Sequence, residues 1–368
     1  MKVAIVHYWL VGMRGGEKVI ESLCQLFPDA DIFTHVSDPG ALSPTIKAHN
    51  IRTSFISRLP FATRGYKVYL PLMPLALEQL DLRGYDLIIS SESGPAKGVI
   101  SPPDALHICY CHSPMRYIWN MFHEYRERSG FAARAAMPLL AHYLRGWDVT
   151  SATRVHHFVA NSRTVAARLR TYYGREATVI HPPVNVGDFT PSNEQVGDYW
   201  LMVGELVAYK RPDLAVEAFS KSGKKLVVIG GGEMLSTLRA LAGPSVSLLG
   251  PQPFAVLERH YQRCRALVFP GEEDFGIVPV EAMASGRPVI AYRRGGATET
   301  VVDGLTGVFF EKQTVEELLS AVESCDGMQF DPRAIARHAM RFSADRFRSE
   351  MLGFINECLR GSSIDTTA

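Results

Sequence analysis

Short apolar runs alternate with stretches of helical periodicity along almost the whole chain, and this alternation constrains the fold more than any other feature. Strand-length runs fall at 2–6, 31–35, 86–90, 106–110, 156–160 and 178–181, then at 199–203, 225–229, 245–249, 266–269, 288–291 and 307–310. Amphipathic spacing predicts helices over 15–26, 162–173, 212–221, 254–263, 278–285 and 314–325. Alternating units of this kind build parallel sheets covered by helices. With 368 residues the chain exceeds one ordinary domain. The clearest break is 182–198, where Pro182, Pro183, Gly187, Pro191, Ser192 and Gly197 gather. Two α/β domains are therefore expected, at 1–184 and 185–344, with a last helix at about 345–360 packing back on the first. The polar tail after Gly361 reads as disordered. Open parallel sheets bind ligands beyond the carboxyl ends of their strands, so two such sheets facing one another would place the chemistry in a cleft.

Composition excludes several classes. Hydrophobic residues make up 46% and charged residues 21%, which rules out a disordered or collagen-like chain. The net charge of +1 gives no global field for nucleic acid. Residues 1–185 nevertheless carry 20 Lys+Arg against 14 Asp+Glu (+6), leaving 19 against 24 (−5) for the rest, so the halves are expected to meet different partners. The six cysteines form no C-x-x-C pair and read as reduced, buried thiols in a cytoplasmic protein. The apolar N-terminal run has no small-residue cleavage site and reads as a strand. The longest uncharged stretch, 240–257, is broken by glycines and prolines and cannot span a membrane as a helix.

The most informative segment runs from Phe269 to Val302. Phe275–Gly276–Ile277 joins the end of a strand to the start of a helix, where unpaired N–H groups and the helix dipole suit a diphosphate. Gly276 lets backbone approach a ligand closely. Glu273 precedes this turn and Glu281 sits one turn inside the helix, so both carboxylates can face the same strand-end crevice and accept from sugar hydroxyls.

Glu273–x7–Glu281, with Phe275–Gly276–Ile277 and Val278 between, resembles the signature of retaining glycosyltransferase family 4, of GT-B fold. The resemblance implies two Rossmann-like domains facing each other across a cleft. It also implies that Glu273 contacts the donor sugar, that Glu281 holds the nucleotide ribose, and that the amides of 275–278 approach the sugar and diphosphate. Gly15–Gly16–Glu17 resembles the family's N-terminal glycine turn, Val203–Gly204 through Lys210–Arg211 its phosphate-binding segment, and Val228 through Gly231 and Gly232 the next strand-end turn. Gly295–Gly296–Ala297–Thr298–Glu299 resembles a later Gly-Gly-x-x-Glu loop. One position departs: Glu205 stands where many members carry an arginine, so that role is not carried over, and Arg211 beside Lys210 is the expected substitute.

In the first half, Cys111–His112–Ser113–Pro114–Met115–Arg116–Tyr117 resembles the family's histidine loop and implies that His112 touches the transferred sugar. The resemblance implies transfer of a sugar with retention from a nucleotide-diphosphate donor to a glycan or lipid-linked glycan acceptor. His112, Lys210 and Glu273 would form the catalytic set. No cofactor is implied beyond the donor as co-substrate, and no metal, since no Asp-x-Asp stands at a strand end. The Tyr209–Lys210–Arg211–x–Asp213 and His112–Ser113–Pro114–Met115–Arg116–Tyr117 forms are most similar to bacterial mannosyltransferases of surface polysaccharide assembly, which favours GDP-mannose. A UDP-sugar, a nucleotide-sugar 2-epimerase and a non-catalytic scaffold stay open. Tyr117, Trp119, Met121, Phe122, Tyr125 and the run Phe131–Trp147, interleaved with Arg126, Arg128, Arg134 and Arg145, read either as a membrane-interface surface or as a core hairpin. Arg58 to Leu77, with Arg64, Lys67, Tyr66 and Tyr69, shares that texture. The first reading implies a peripheral contact with the cytoplasmic face of the inner membrane.

Overall fold

The computed structural model describes residues 1–192 and 195–364. The chain divides into two compact units, Met1–Pro183 with the segment from Phe347 onward, and Val184–Arg346.

The first unit is built on a seven-stranded sheet of β1 (Val3–His7), β2 (Asp31–Thr34), β3 (Ile51–Thr53), β4 (Leu87–Glu92), β5 (Leu106–Cys111), β6 (His157–Ala160) and β7 (Ala177–Val179). Their spatial order is β3-β2-β1-β4-β5-β6-β7 and every pairing is parallel. β1, β4 and β5 are buried at every residue, as befits central parallel strands covered on both faces. The second unit carries β8 (Trp200–Val203), β9 (Leu226–Ile229), β10 (Val246–Gly250), β11 (Leu267–Phe269), β12 (Val289–Tyr292) and β13 (Gly307–Phe310), in the order β10-β9-β8-β11-β12-β13, again all parallel. In each sheet the strand order reverses once, between β1 and β4 and between β8 and β11. Such switch points leave a crevice beyond the carboxyl ends of the two strands.

Twelve of these thirteen strands coincide with the apolar runs of the sequence. β3 does not: it is a three-residue edge strand with two exposed residues, too short and too polar for its pattern to stand out. The break expected at 182–198 is only partly a loose linker. Val184, Val186 and Phe189 are buried in the core of the second unit, and Val184 N–H donates to Phe342 O at 2.9 Å, so the chain is anchored as soon as it enters that unit. Residues 193 and 194 of that segment lie outside the described residues. At the other end, helix Ala344–Ile364 runs past Gly361, where the sequence read as a disordered tail; residues 365–368 of that tail lie outside the described residues. Phe347, Met351 and Ile355 from this helix share one core cluster with Val3, Ile5, Leu23 and Ile89.

Candidate active site

At the β8/β11 switch point the chain turns on glycines. Gly204 follows β8 at φ +141°, a conformation open to glycine. A side chain at Gly232 would strike the Leu206 backbone, so the loops after β8 and β9 meet main chain to main chain. The turn after β8 delivers Lys210, whose Nζ lies 2.9 Å from Glu273 Oε1. Glu273 belongs to the loop after β11. That loop is held from both sides: Gly271 lies against the Lys210 backbone, and Gly296 N–H donates to Glu273 O at 2.8 Å. A Cβ on Gly296 would overlap Phe275, which explains the glycine pair at 295–296.

Burial works against the Lys210 ammonium, yet Glu273, Tyr209 and Glu205 around it outweigh that penalty and hold its pKa above the usual lysine value. Glu205 thus adds negative charge beside Lys210. Arg211, the expected substitute for the missing arginine, is turned toward Asp213 and Gln313: its Nε lies 3.1 Å from Asp213 Oδ2 and its Nη1 3.5 Å from Gln313 Oε1. With φ +52°, Arg211 caps the helix Pro212–Ser222, and its charge is met by an aspartate of that helix's first turn.

Gly276, at φ +85°, is the N-cap of helix Ile277–Ala284. Phe275 packs into the core, and because the helix begins at Ile277 the first-turn N–H groups of Ile277 and Val278 have no intrahelical acceptor. Glu281 lies on this helix, and its Oε2 accepts from the buried Tyr261 hydroxyl at 2.8 Å. Sequence reasoning missed Tyr261 because it sits a full βα unit away. A cavity lined by Gly197, Arg265, Arg287 and Phe330 lies at the opposite, amino-terminal ends of β11 and β12, far along the sheet from Lys210 and Glu273.

In the first unit the β1/β4 switch point gathers His7, Ser91 and the start of helix Gly15–Leu26. Ser91 Oγ stands between two imidazoles, 3.1 Å from His7 Nδ1 and 2.8 Å from His112 Nε2. Glu17 Oε1 faces His7 Nε2 at 4.0 Å, and Glu17 Oε2 accepts from Arg14 N–H at 3.0 Å. A Cβ on Gly16 would overlap the Tyr8 hydroxyl and lie 3.3 Å from His7 Cε1, so the second glycine of the turn makes room first for Tyr8 and then for the His7 ring; Gly15 opens the helix beside it. Burial, reinforced by His7, pushes the His112 pKa down to about 3, so the ring is neutral at ordinary pH. Next to Ser91 at the end of β4, Glu92 accepts from the N–H groups of Ala96 (3.0 Å) and Lys97 (2.7 Å) and from Lys97 Nζ (2.9 Å). Lys97 Nζ also donates to Asp148, which accepts from Trp119 Nε1 (2.7 Å) and the Tyr173 hydroxyl (2.8 Å).

The aromatic run after His112 divides between the two readings. Phe122 is buried with Met115, Ile118 and Leu144, Met121 is buried as well, and Trp119 stacks on Tyr172 at 4.6 Å; these belong to the core. Arg145 also faces inward, with Nε 2.6 Å from Ile118 O. Arg126 and Arg134 donate to each other's backbone carbonyls at 3.3 Å and tie helices Phe122–Arg128 and Phe131–Ala152 together. Phe131, Leu139 and Tyr143, by contrast, point outward, Phe131 with 90% of its surface exposed. Phe61, Val68, Leu72 and Leu75 of the neighbouring segment are exposed as well.

Residues 13–188 match Glycosyltransferase Family 4, and residues 191–327 match Glycosyl transferases group 1. The chain belongs to these family 4/group 1 glycosyltransferases, of GT-B type. It is similar to the D-inositol 3-phosphate glycosyltransferase of Segniliparus rotundus, with 28% identity over 238 residues, 56% of this chain and 53% of that protein. The chain spans about half the length of the curated relatives it matches. Among solved structures, sucrose-phosphate synthase from Thermosynechococcus elongatus aligns over 98% of this chain and 100% of its own, with TM-score 0.73 and 17% identity. Anabaena HepE in complex with UDP and glucose aligns over 97% and 99%, with TM-score 0.69 and 15% identity. At such identities the likeness is one of fold.

Proposed function

We propose that the protein transfers a sugar, with retention, from a nucleotide-diphosphate donor to a glycan or lipid-linked glycan acceptor. The observation that carries this reading is the Lys210–Glu273 pair at the β8/β11 switch point. Without a ligand the two charges neutralise each other. An ammonium has three N–H donors, so Lys210 can meet a diphosphate oxygen while it holds Glu273. Cleavage of the sugar–phosphate bond builds negative charge on the leaving diphosphate; Lys210 and the Ile277 and Val278 amides are the donors placed to stabilise it. Glu273 then accepts from sugar hydroxyls, Glu281 from the ribose, and His112 contacts the sugar from the first unit.

We assign GDP-mannose as donor on the motif forms around Lys210 and His112. HepE in complex with UDP and glucose favours a second reading, a UDP-sugar. A panel of nucleotide sugars scored by thermal shift and by product formation separates them, since a bound donor raises the melting temperature by mass action. Lys210→Met is expected to slow transfer about a hundredfold, the scale of losing one preorganised donor to developing charge. Unchanged turnover in that variant would remove Lys210 from the catalytic set. Change of the free donor sugar without acceptor would instead identify an epimerase.

For the acceptor side we propose a reversible contact with an anionic membrane through Phe131, Leu139, Phe61 and Val68, flanked by Arg64 and Lys67. Apolar insertion and attraction of about 1 kcal/mol per basic residue near the surface act together. Flotation with anionic vesicles is expected at low salt and should fade as salt rises. Phe131→Ser with Leu139→Ser should reduce it while donor binding is unchanged. These substitutions avoid Arg126 and Arg134, whose replacement would disturb the helix pair. Equal flotation of variant and wild type would place the contact elsewhere.

A further inference from the structure

We propose that Glu17, His7 and Ser91 form a polarised hydrogen-bond relay that fixes the His112 ring in the tautomer with its proton on Nε2, so that Nδ1 is presented as a bare acceptor. His7 is fully buried, and its Nε2 has no hydrogen-bond partner; the group it faces is the Glu17 carboxylate at 4.0 Å. A lone pair on that nitrogen would point at a carboxylate, whereas an N–H there is attracted to it even beyond hydrogen-bond length. In the neutral ring that the relay requires, the His7 proton therefore sits on Nε2, and Nδ1 accepts from the Ser91 hydroxyl at 3.1 Å. A hydroxyl has one proton. Having given it to His7, Ser91 Oγ can only accept from His112, so the 2.8 Å contact requires N–H on His112 Nε2. His112 Nδ1 is left with its lone pair and has no hydrogen-bond partner among the described residues.

The alternative direction fails at Glu17, which is the anchor of the relay. Its second oxygen is already fixed by Arg14 N–H, and its pKa is held below the usual glutamate value by His7 and by backbone N–H donors, which outweigh its burial. The relay joins the Gly15–Gly16–Glu17 turn to the histidine loop across three separate stretches of sequence. Its role in the reaction rests on the transferase reading: a fixed acceptor at His112 Nδ1 would take a hydrogen bond from a hydroxyl of the sugar. His112 would be the contacting residue, and Ser91, His7 and Glu17 positioning residues.

The test has two arms. Long-range nitrogen NMR of histidine-labelled full-length protein, with the His112 signals assigned by their loss in His112→Gln, reads the tautomer without any substrate. Nε2–H is expected in wild type. Glu17→Gln keeps an oxygen for Arg14 but can offer an amide N–H to His7, so it should reverse the relay and move the His112 proton to Nδ1. Nδ1–H in wild type, or the same tautomer in both proteins, overturns the proposal. In the second arm Ser91→Ala should lower kcat about tenfold with donor KM within about twofold, and Ser91→Thr should restore it. A tautomer that obeys the first arm in a protein without transfer activity would leave the relay standing and refute the transferase reading. Equal kcat in Ser91→Ala and wild type would overturn the relay's part in catalysis.

Discussion

Lys97→Met is expected to destabilise the first unit by about 3–5 kcal/mol, the scale of breaking a buried ion pair by removing one partner. Lys97, Glu92 and Asp148 have no solvent exposure, and the two carboxylates keep the ammonium charged against the cost of burial. Methionine fills nearly the same volume but leaves both carboxylates facing each other without a cation. Three of the four tryptophans lie in this unit, and two of them touch the cluster: Trp119 donates to Asp148, and the Trp147 ring lies 5.7 Å from Lys97 Nζ. Urea unfolding followed by tryptophan fluorescence therefore reports on it directly. A loss below about 1 kcal/mol would mean that the cluster is solvated in a way its burial does not suggest.

Mild acid should weaken the same unit well above the pH at which carboxylates titrate. His35 and His107 are fully buried; Ser54 Oγ lies 3.1 Å from His35 Nδ1 and Ser90 Oγ 2.8 Å from His107 Nε2. Burial pushes His35 down to about 4, and burial with His156 pushes His107 down to about 3. In the unfolded chain both titrate near 6.5. Between 6.5 and those depressed values the unfolded state binds protons that the folded state refuses. Stability is thus whole above pH 6.5 and is lost as the pH falls, by about 1.4 kcal/mol per pH unit for each ring. At pH 5 the two together amount to about 4 kcal/mol. Denaturant midpoints at pH 7 and pH 5 measure it, and His35→Gln with His107→Gln should reduce the dependence, the part that remains coming from His112, which burial depresses as well. Equal midpoints in wild type would contradict the assignment of both rings as neutral.

The sequence carried the sheets because their central strands are continuous apolar runs bounded by glycine and proline, a signal that is local. Gly276 was legible for the same reason, and Gly204 and Gly295 through the family resemblance; each marks a turn whose backbone a side chain would block or strain. What could not be read was pairing between distant segments. Arg211 looked like a free neighbour of Lys210, and only the fold turns it toward Asp213 and Gln313. Nothing local to Lys97 marks it as buried; only β4 and the helix Phe131–Ala152 bring Glu92 and Asp148 around it. The mixed aromatic run after His112 carried two periodicities at once, and packing assigned Phe122 to the core and Phe131 to the outside.

Helix Ala344–Ile364 sets the order in which the protein can mature. The second unit is one uninterrupted stretch, Val184–Arg346, and holds every residue of its own core. The first unit is not: Val3, Ile5 and Ile89 share a cluster with Phe347, Met351 and Ile355, which are translated only after the whole second unit. During synthesis the first sheet therefore waits with an apolar face uncovered, the state in which nascent chains aggregate or recruit chaperones. The first sheet to leave the ribosome is the last to be finished.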